Sequence, residues 1–352
     1  MSYESALAAR LVPYVPGEQP KGRKLIKLNT NEHPYGPSPR VKQAMDEAMA
    51  RLRLYPDAEA TALREAIAQV NGLRPEQVFC GNGSDEVLAF AFAAFFSGKK
   101  LYAPSITYSF YPVYADLFGV MYEPVPLHDD FTVDVESLCQ GGPVVLANPN
   151  APTSLFLDMQ AIEKLAAYTK EKGEVLLVDE AYAAFAPDNA RRLLDRYENL
   201  LIVRTFSKSH GLAGLRVGYA MGSPELIASL RKVRDSFNSY PLDCLAQAGA
   251  REAMLDVAWT EETVGKICQT RDRCIARLRQ KNVPVFDSAT NFLFVKADAA
   301  DAKHVQEALR ERGILVRYFS GNVLCRYLRI SVGTDEEMDR MTDALLDILG
   351  KT

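Results

Sequence analysis

In "RTFSKSHGLAGLRVGY", residues 204–219, a single lysine stands among small and apolar side chains, with Gly211, Gly214 and Gly218 after it. A surface helix would not carry so many glycines, since each costs about 1 kcal/mol relative to alanine in a helix interior. Lys208 follows an apolar strand-like run, "NLLIVRTFS". An amine held there, partly desolvated, has its pKa pushed down toward the neutral form that attacks carbonyls. A solvated lysine is the plainer reading of the residue taken alone. Arg216, eight residues on, adds a guanidinium able to grip an anion.

Three other polar groups follow apolar runs in the same way. In "GNGSDE" (81–86) the turn around Gly83, Ser84 and Asp85 can aim backbone N–H groups at an anion, although Asp85 by itself reads first as a helix cap. In "LVDEAY" (177–182) Asp179 ends a strand, where a carboxylate must meet a metal, meet a cation or cap a turn. In "ANPNAPT" (147–153) the prolines force extended or turn geometry that can present the Asn150 amide, or simply make a loop. Together these are an anion cradle, an acid, an amide and an amine. That set suits pyridoxal phosphate: donors and an arginine for its phosphate, a lysine for its aldehyde, an acid for its ring nitrogen.

The elements that must position them alternate. Short apolar runs ("QVFCG", "KKLYAP", "PVVLANPN", "EVLLVDEAY", "NLLIVRTFS") are separated by helical stretches, a pattern that predicts an α/β protein with a mostly parallel sheet covered by helices. Ligands of such sheets collect at the carboxyl ends of the strands, where all four polar groups fall. From about Trp259 a long helical stretch and then "NFLFVKA", "ILVRYF" and "YLRISVG" predict a smaller α/β domain. The first forty residues are loop-rich.

The 352 residues are 48% hydrophobic and 24% charged, ordinary for a soluble globular protein, and carry a formal charge of -4. That charge gives no general attraction to nucleic acid or to an anionic membrane. The six cysteines form no CxxC pair and the four histidines no HExxH, so neither a disulfide framework nor a metal site is expected. No segment is apolar enough to span a bilayer and the N-terminus does not read as a signal peptide, so a cytoplasmic location is expected.

"LNTNEHPYGPSP", "YPD", "GNGSDE", "NPNAPT", "VDEAY", "TFSKSHGLAGLRVGY" and "LRISVGT" occur in this order. So arranged, the chain resembles the fold-type I pyridoxal-phosphate aminotransferases, and within them it is most similar to the branch acting on histidinol phosphate. The resemblance spans nearly the whole chain. It implies a large cofactor-binding domain at 41–255 with a mostly parallel seven-stranded sheet sandwiched by helices. A smaller α/β domain at 256–352 would be completed, with the active site, by residues 1–40.

It further implies that Lys208 forms the Schiff base with pyridoxal 5'-phosphate and shuttles the substrate proton, while Asp179 pairs with the ring nitrogen. At an effective dielectric near 20 such a pair is worth on the order of 4 kcal/mol at 4 Å, or roughly three pKa units. Tyr182 and Asn150 would bond the ring oxygen and Tyr108 would stack on the ring. Gly83, Ser84, Asp85, Thr205, Ser207 and Arg216 would hold the phosphate. Tyr55 would reach across a homodimer to the partner's cofactor. Arg317 and Arg329 would bind the substrate's phosphate, with Tyr14 and Asn31 closing over it. The expected reaction passes an amino group from L-histidinol phosphate to 2-oxoglutarate. An aromatic amino-acid aminotransferase and a threonine-phosphate decarboxylase share the same motifs.

Overall fold

Runs such as "VVLA" and "LLVD" have no polar face, so they must lie between two covering layers. The computed structural model describes residues 3–14, 17–19, 25–297, 301–321 and 323–351. Its strands are β1 (Ile26–Leu28), β2 (Val78–Asn82), β3 (Lys100–Pro104), β4 (Met121–Val125), β5 (Val144–Ala147) and β6 (Leu176–Asp179). They continue with β7 (Leu200–Thr205), β8 (Val217–Met221), β9 (Phe292–Lys296), β10 (Ile314–Tyr318) and β11 (Tyr327–Ser331). Seven of them form one sheet in the order β2-β8-β7-β6-β5-β3-β4, and β5 and β6 are buried along their whole length.

Alternation along these strands feeds two cores, one on each face. Val144, Leu146, Leu176, Val178, Leu200 and Ile202 meet the helices Thr61–Asn71 and Met159–Glu171 through Leu63, Ile67, Ile162 and Leu165. Val145, Leu177, Leu201 and Val203 meet the helices Gly83–Ala91 and Pro224–Phe237 through Val87, Leu88, Ile227 and Leu230. The seven-stranded α/β architecture expected of the chain is therefore present.

Only β8 runs against the others, pairing antiparallel with both β7 and β2. This polarity matters for residues 204–219. The chain leaves the carboxyl end of β7, passes Lys208 and returns at the start of β8, so Arg216 lies at the same sheet edge as the lysine. Gly218 sits opposite Thr205 on one side and Gly81 on the other. A Cβ there would run into Gly83 and Ser84, with the Ser84 Cα at 2.7 Å.

The second sheet has the order β1-β10-β11-β9 and a core of its own built on Leu293, Val295, Val316, Leu328 and Ile330. β1 pairs parallel with β10 almost three hundred residues away, Ile26 opposite Ile314. The start of the chain is thus built into the sheet formed by its end. The long helix Val257–Gln280 stands between the two sheets in sequence. Among the described residues no helix is long and apolar enough to cross a membrane, and no cluster of side chains could hold a metal.

Replacing Gly218 with alanine is expected to lower stability by about 1–3 kcal/mol, because the added carbon meets backbone that cannot yield. Gly214→Ala, whose Cβ would meet nothing within 4 Å, is expected to stay within about 0.5 kcal/mol of the parent. Urea midpoints of the two variants check the contrast.

Candidate active site

At the carboxyl edge of the large sheet lies a cavity of about 450 Å³, closed on its other side by residues 30–32 and by Arg329 of β11. Strand-end residues reach it from β5 (Ala147), β6 (Asp179) and β7 (Thr205). Groups widely separated in sequence converge here because parallel strands all end at one edge.

Lys208 lies in the short helical turn Phe206–Ser209, directly after β7. Its Nζ donates to the Thr30 carbonyl at 3.1 Å. Burial, reinforced by the positive charge of Arg329, pulls the amine from its ordinary 10.5 down to about 8. His210, two residues on, does not line the cavity, and burial lowers it to about 4, which keeps it neutral.

The acids of "VDEAY" separate to opposite sides. Asp179 faces the cavity, where burial raises its carboxyl to about 6 against the hydrogen bonds it receives from Tyr111 Oη (2.9 Å) and the Ala181 N–H (3.1 Å). Glu180 turns away and pairs with Arg204, which donates from Nε at 2.9 Å. Tyr182 lines the cavity as a phenol held protonated by burial, and its oxygen accepts from Asn31 Nδ2 at 2.9 Å.

The anion side is formed by Ser84 and Asp85 at the start of the helix Gly83–Ala91, by Ser207, and by Arg216. Gly83 has φ +78, and a Cβ there would lie 2.6 Å from the Arg216 guanidinium, so glycine is needed for the arginine to lie flat on this turn. Asp85 bridges the group: it accepts from Arg216 at 2.8 Å and from Tyr108 Oη at 2.9 Å. Thr205 accepts the Ser207 N–H and so caps the lysine's turn. Tyr108 and Tyr14 both line the cavity, each with its ring packed on Phe110.

Asn150 bonds within its own loop: Nδ2 donates to the Ile106 carbonyl and to Thr153 Oγ1, both at 2.9 Å, while Oδ1 accepts from Thr107. Its neighbour Ala151 lines the cavity. Arg317 sits opposite Arg329 in the β10/β11 register, outside the cavity lining, and both guanidinium groups lie over Phe319. The Arg329 Nε is buried without a partner, and burial and Arg317 both disfavour its charge. Tyr55 lies elsewhere, 83% exposed and stacked on Tyr240 at 4.8 Å, in a groove of about 970 Å³.

Sequence reasoning missed Tyr111, Thr30 and Glu32. Tyr111 is three residues beyond Tyr108, close to one helical turn, and that spacing is the one signal that could have found it. Thr30 acts through its carbonyl, which no side-chain motif reveals. Glu32 lines the cavity with its carboxylate held by Lys27 and Thr30.

The family model for class I and II aminotransferases matches residues 23–345. The chain is 51% identical to the histidinol-phosphate aminotransferase of Gluconacetobacter diazotrophicus, over 98% of this chain and 97% of that one. It is 46% identical to the enzyme of the same name from Clostridium acetobutylicum, over 97% of each. Among solved structures it resembles histidinol-phosphate aminotransferase from Sinorhizobium meliloti in complex with pyridoxal-5'-phosphate, with TM-score 0.88 and 27% identity over 99% of this chain and 98% of that one.

The depressed pKa of Lys208 sets an expected reactivity. In cofactor-free protein its acylation, followed by peptide mapping, should reach half its maximal rate near pH 8, whereas exposed lysines lag by about two units. Tyr111→Phe removes a hydrogen bond to a charged group, on the order of 1.5–3 kcal/mol. It should therefore raise Asp179 about one to two units above its value near 6, measured by NMR titration of the labelled carboxyl.

Proposed function

The chain belongs to the class I and II aminotransferases, and from that premise we propose that it passes the amino group of L-histidinol phosphate to 2-oxoglutarate with pyridoxal 5'-phosphate as cofactor. The observation that carries this reading is one cavity holding a neutralisable amine, a strand-end acid and an anion cradle on one wall, with an undercompensated arginine facing them.

The residues present fit that cofactor. Glycine at 83 and 218 leaves the room that a Cβ would fill beside the cradle. Ser84, Asp85, Ser207 and Arg216 would hold the phosphate, with Thr205 shaping the turn that presents Ser207. When bound, the cofactor supplies an aldehyde for an amine and a ring that accepts electrons from the substrate α-carbon. Tyr108, which lines the same cavity, would cover the face of that ring.

Lys208 provides the neutral amine and carries the proton removed from and returned at the substrate α-carbon. Its depressed pKa suits both tasks near neutral pH. Asp179 holds the proton on the ring nitrogen. A cation set against it offsets the burial that now raises its pKa and leaves the carboxylate ionised. Tyr182 would donate its phenol proton to the ring oxygen, with Asn150 as the second residue assigned there.

Arg329, with Arg317 beside it, binds the substrate's phosphate. Two adjacent guanidinium groups repel one another, and a dianion relieves that repulsion. Tyr14, Asn31 and Glu32 wall off the same end from water. The homodimer is part of the proposal. Exposed Met49, Leu52, Leu54, Tyr55, Phe237 and Tyr240 make a surface that a second copy would cover, placing Tyr55 at the partner's cofactor phosphate. We divide the chain at residues 41–255 and 256–352, with 1–40 serving the smaller domain; β1 seated on β10 supports this. The proposal places the protein in the cytoplasm, in keeping with a biosynthetic role.

The purified protein should absorb in the visible region, and Lys208→Ala should abolish the adduct trapped by borohydride; an undiminished adduct excludes this lysine. Titrated with histidinol phosphate, phenylalanine and threonine phosphate in turn, the visible band should be bleached at the lowest concentration by histidinol phosphate and without CO2 release. Arg317→Ala and Arg329→Ala should each raise its half-saturating concentration by roughly 10- to 150-fold, the loss of one charge-assisted contact.

A further inference from the structure

Three consecutive residues of the N-terminal segment touch three different functional groups. The Asn29 carbonyl accepts from Arg329 at 3.2 Å, the Thr30 carbonyl accepts from Lys208 at 3.1 Å, and the Asn31 amide donates to Tyr182 at 2.9 Å. Asn31 is 1% exposed and holds φ at +56, a conformation asparagine tolerates better than most residues. Its backbone is pinned from the small sheet: its N–H donates to Ser331 Oγ at 2.8 Å, and its carbonyl accepts from Asn291 at 3.1 Å. Ser331, the last residue of β11 and 2% exposed, then returns its own hydroxyl proton to Asn31 Oδ1 at 3.0 Å.

This closed pair of bonds determines which way the amide points. A serine hydroxyl has one proton to give. With Oδ1 toward Ser331, that proton has an acceptor and Nδ2 faces Tyr182. With the amide reversed, Ser331 Oγ would accept from both the backbone N–H and Nδ2, and its proton would be buried without an acceptor, a state that costs about as much as a lost hydrogen bond. The polarity then runs in one direction. Asn31 N–H gives to Ser331, Ser331 gives to Asn31 Oδ1, and Asn31 Nδ2 gives to the Tyr182 oxygen. The phenol oxygen is occupied as an acceptor from this side, so its own proton is left to point into the cavity.

We propose that Ser331 is a positioning residue which, through the Asn31 amide, fixes the Tyr182 phenol as a donor toward the cavity. The small sheet thereby controls a group that belongs to the large one. The proposal rests on Tyr182 acting at the cofactor's ring oxygen.

The test uses holoenzyme carrying Ser331→Ala, Ser331→Thr or Asn31→Asp, each alone and combined with Tyr182→Phe. The pH midpoint of the visible band is read together with the thermal midpoint. Losing a phenol donor at the ring oxygen should raise the spectral midpoint by about 0.4–1 pH unit. Ser331→Ala should produce such a rise and Ser331→Thr should restore the parent value. Asn31→Asp offers the phenol only an acceptor, turns its proton away from the cavity and should match Tyr182→Phe. In the Tyr182→Phe background Ser331→Ala should add no further shift, while Asn31→Asp should add only the effect of its new negative charge.

A second reading needs no cofactor. With tyrosine carrying a ¹³C label at Cζ, the Tyr182 signal of cofactor-free protein should move in Ser331→Ala and in Asn31→Asp, while the exposed Tyr3 should not. An unchanged Tyr182 signal and spectral midpoint overturn the proposal. So does a Ser331→Ala shift that persists at full size in the Tyr182→Phe background, since it would then bypass the phenol. Wild-type protein that shows no visible band overturns the assigned function instead, and the labelled tyrosine then decides the hydrogen-bond relay by itself.

Discussion

The structure turns on holding one primary amine away from bulk water. Full solvation would return Lys208 to its ordinary pKa, so its surroundings limit contact with water without removing all hydrogen bonding. A single carbonyl, that of Thr30, meets the amine. Arg329 adds repulsion that favours the neutral form. The cover comes from residues 29–32, a segment that has no helix or strand of its own and could not stay in place unaided. β1, immediately before it, is paired with β10, so the stability of the small sheet is what keeps the amine covered.

The polarity of the large sheet is the second constraint. Parallel strands bring Asp179, Thr205 and Lys208 to one edge, but a fully parallel sheet would have returned Arg216 to the far edge. The antiparallel β8 removes that difficulty, and glycine at 218 lets it lie close enough to β2 for the arginine to sit on the Gly83 turn. The same edge sorts the two neighbouring carboxylates. Asp179 stays in the cavity, hydrogen-bonded by Tyr111, while Glu180 is neutralised by Arg204 on the other side. A buried acid whose charge already has a partner is not available for chemistry; one held only by a phenol and an N–H is.

On the small sheet the logic is reversed. Arg317 and Arg329 are placed opposite each other on adjacent strands, an arrangement that sets two like charges side by side. Phe319 and Phe292 lie beneath the guanidinium groups and offset part of that repulsion through their ring faces. Arg329, which lines the cavity, keeps a buried Nε with no hydrogen-bond partner.

Much of this was legible from residue order alone. Apolar runs ending in polar residues predicted both the parallel sheet and the edge where Lys208, Asp179 and Ser84 gather, because strand alternation and sheet polarity are local rules. Side-chain direction within loops was not legible. Asn150 sits in a motif that suggests a ligand, and the bonds its amide makes to Ile106, Thr153 and Thr107 appear only when the loop is folded. Tyr111 was hidden because a tyrosine on a buried helix reads as core until the acid facing it is known. Thr30 contributes a carbonyl, which carries no residue identity at all. The chain by itself therefore determined which chemical groups are available and the edge they share. Only the tertiary structure decided which of them face the cavity and which way their protons point, because those depend on partners up to three hundred residues away.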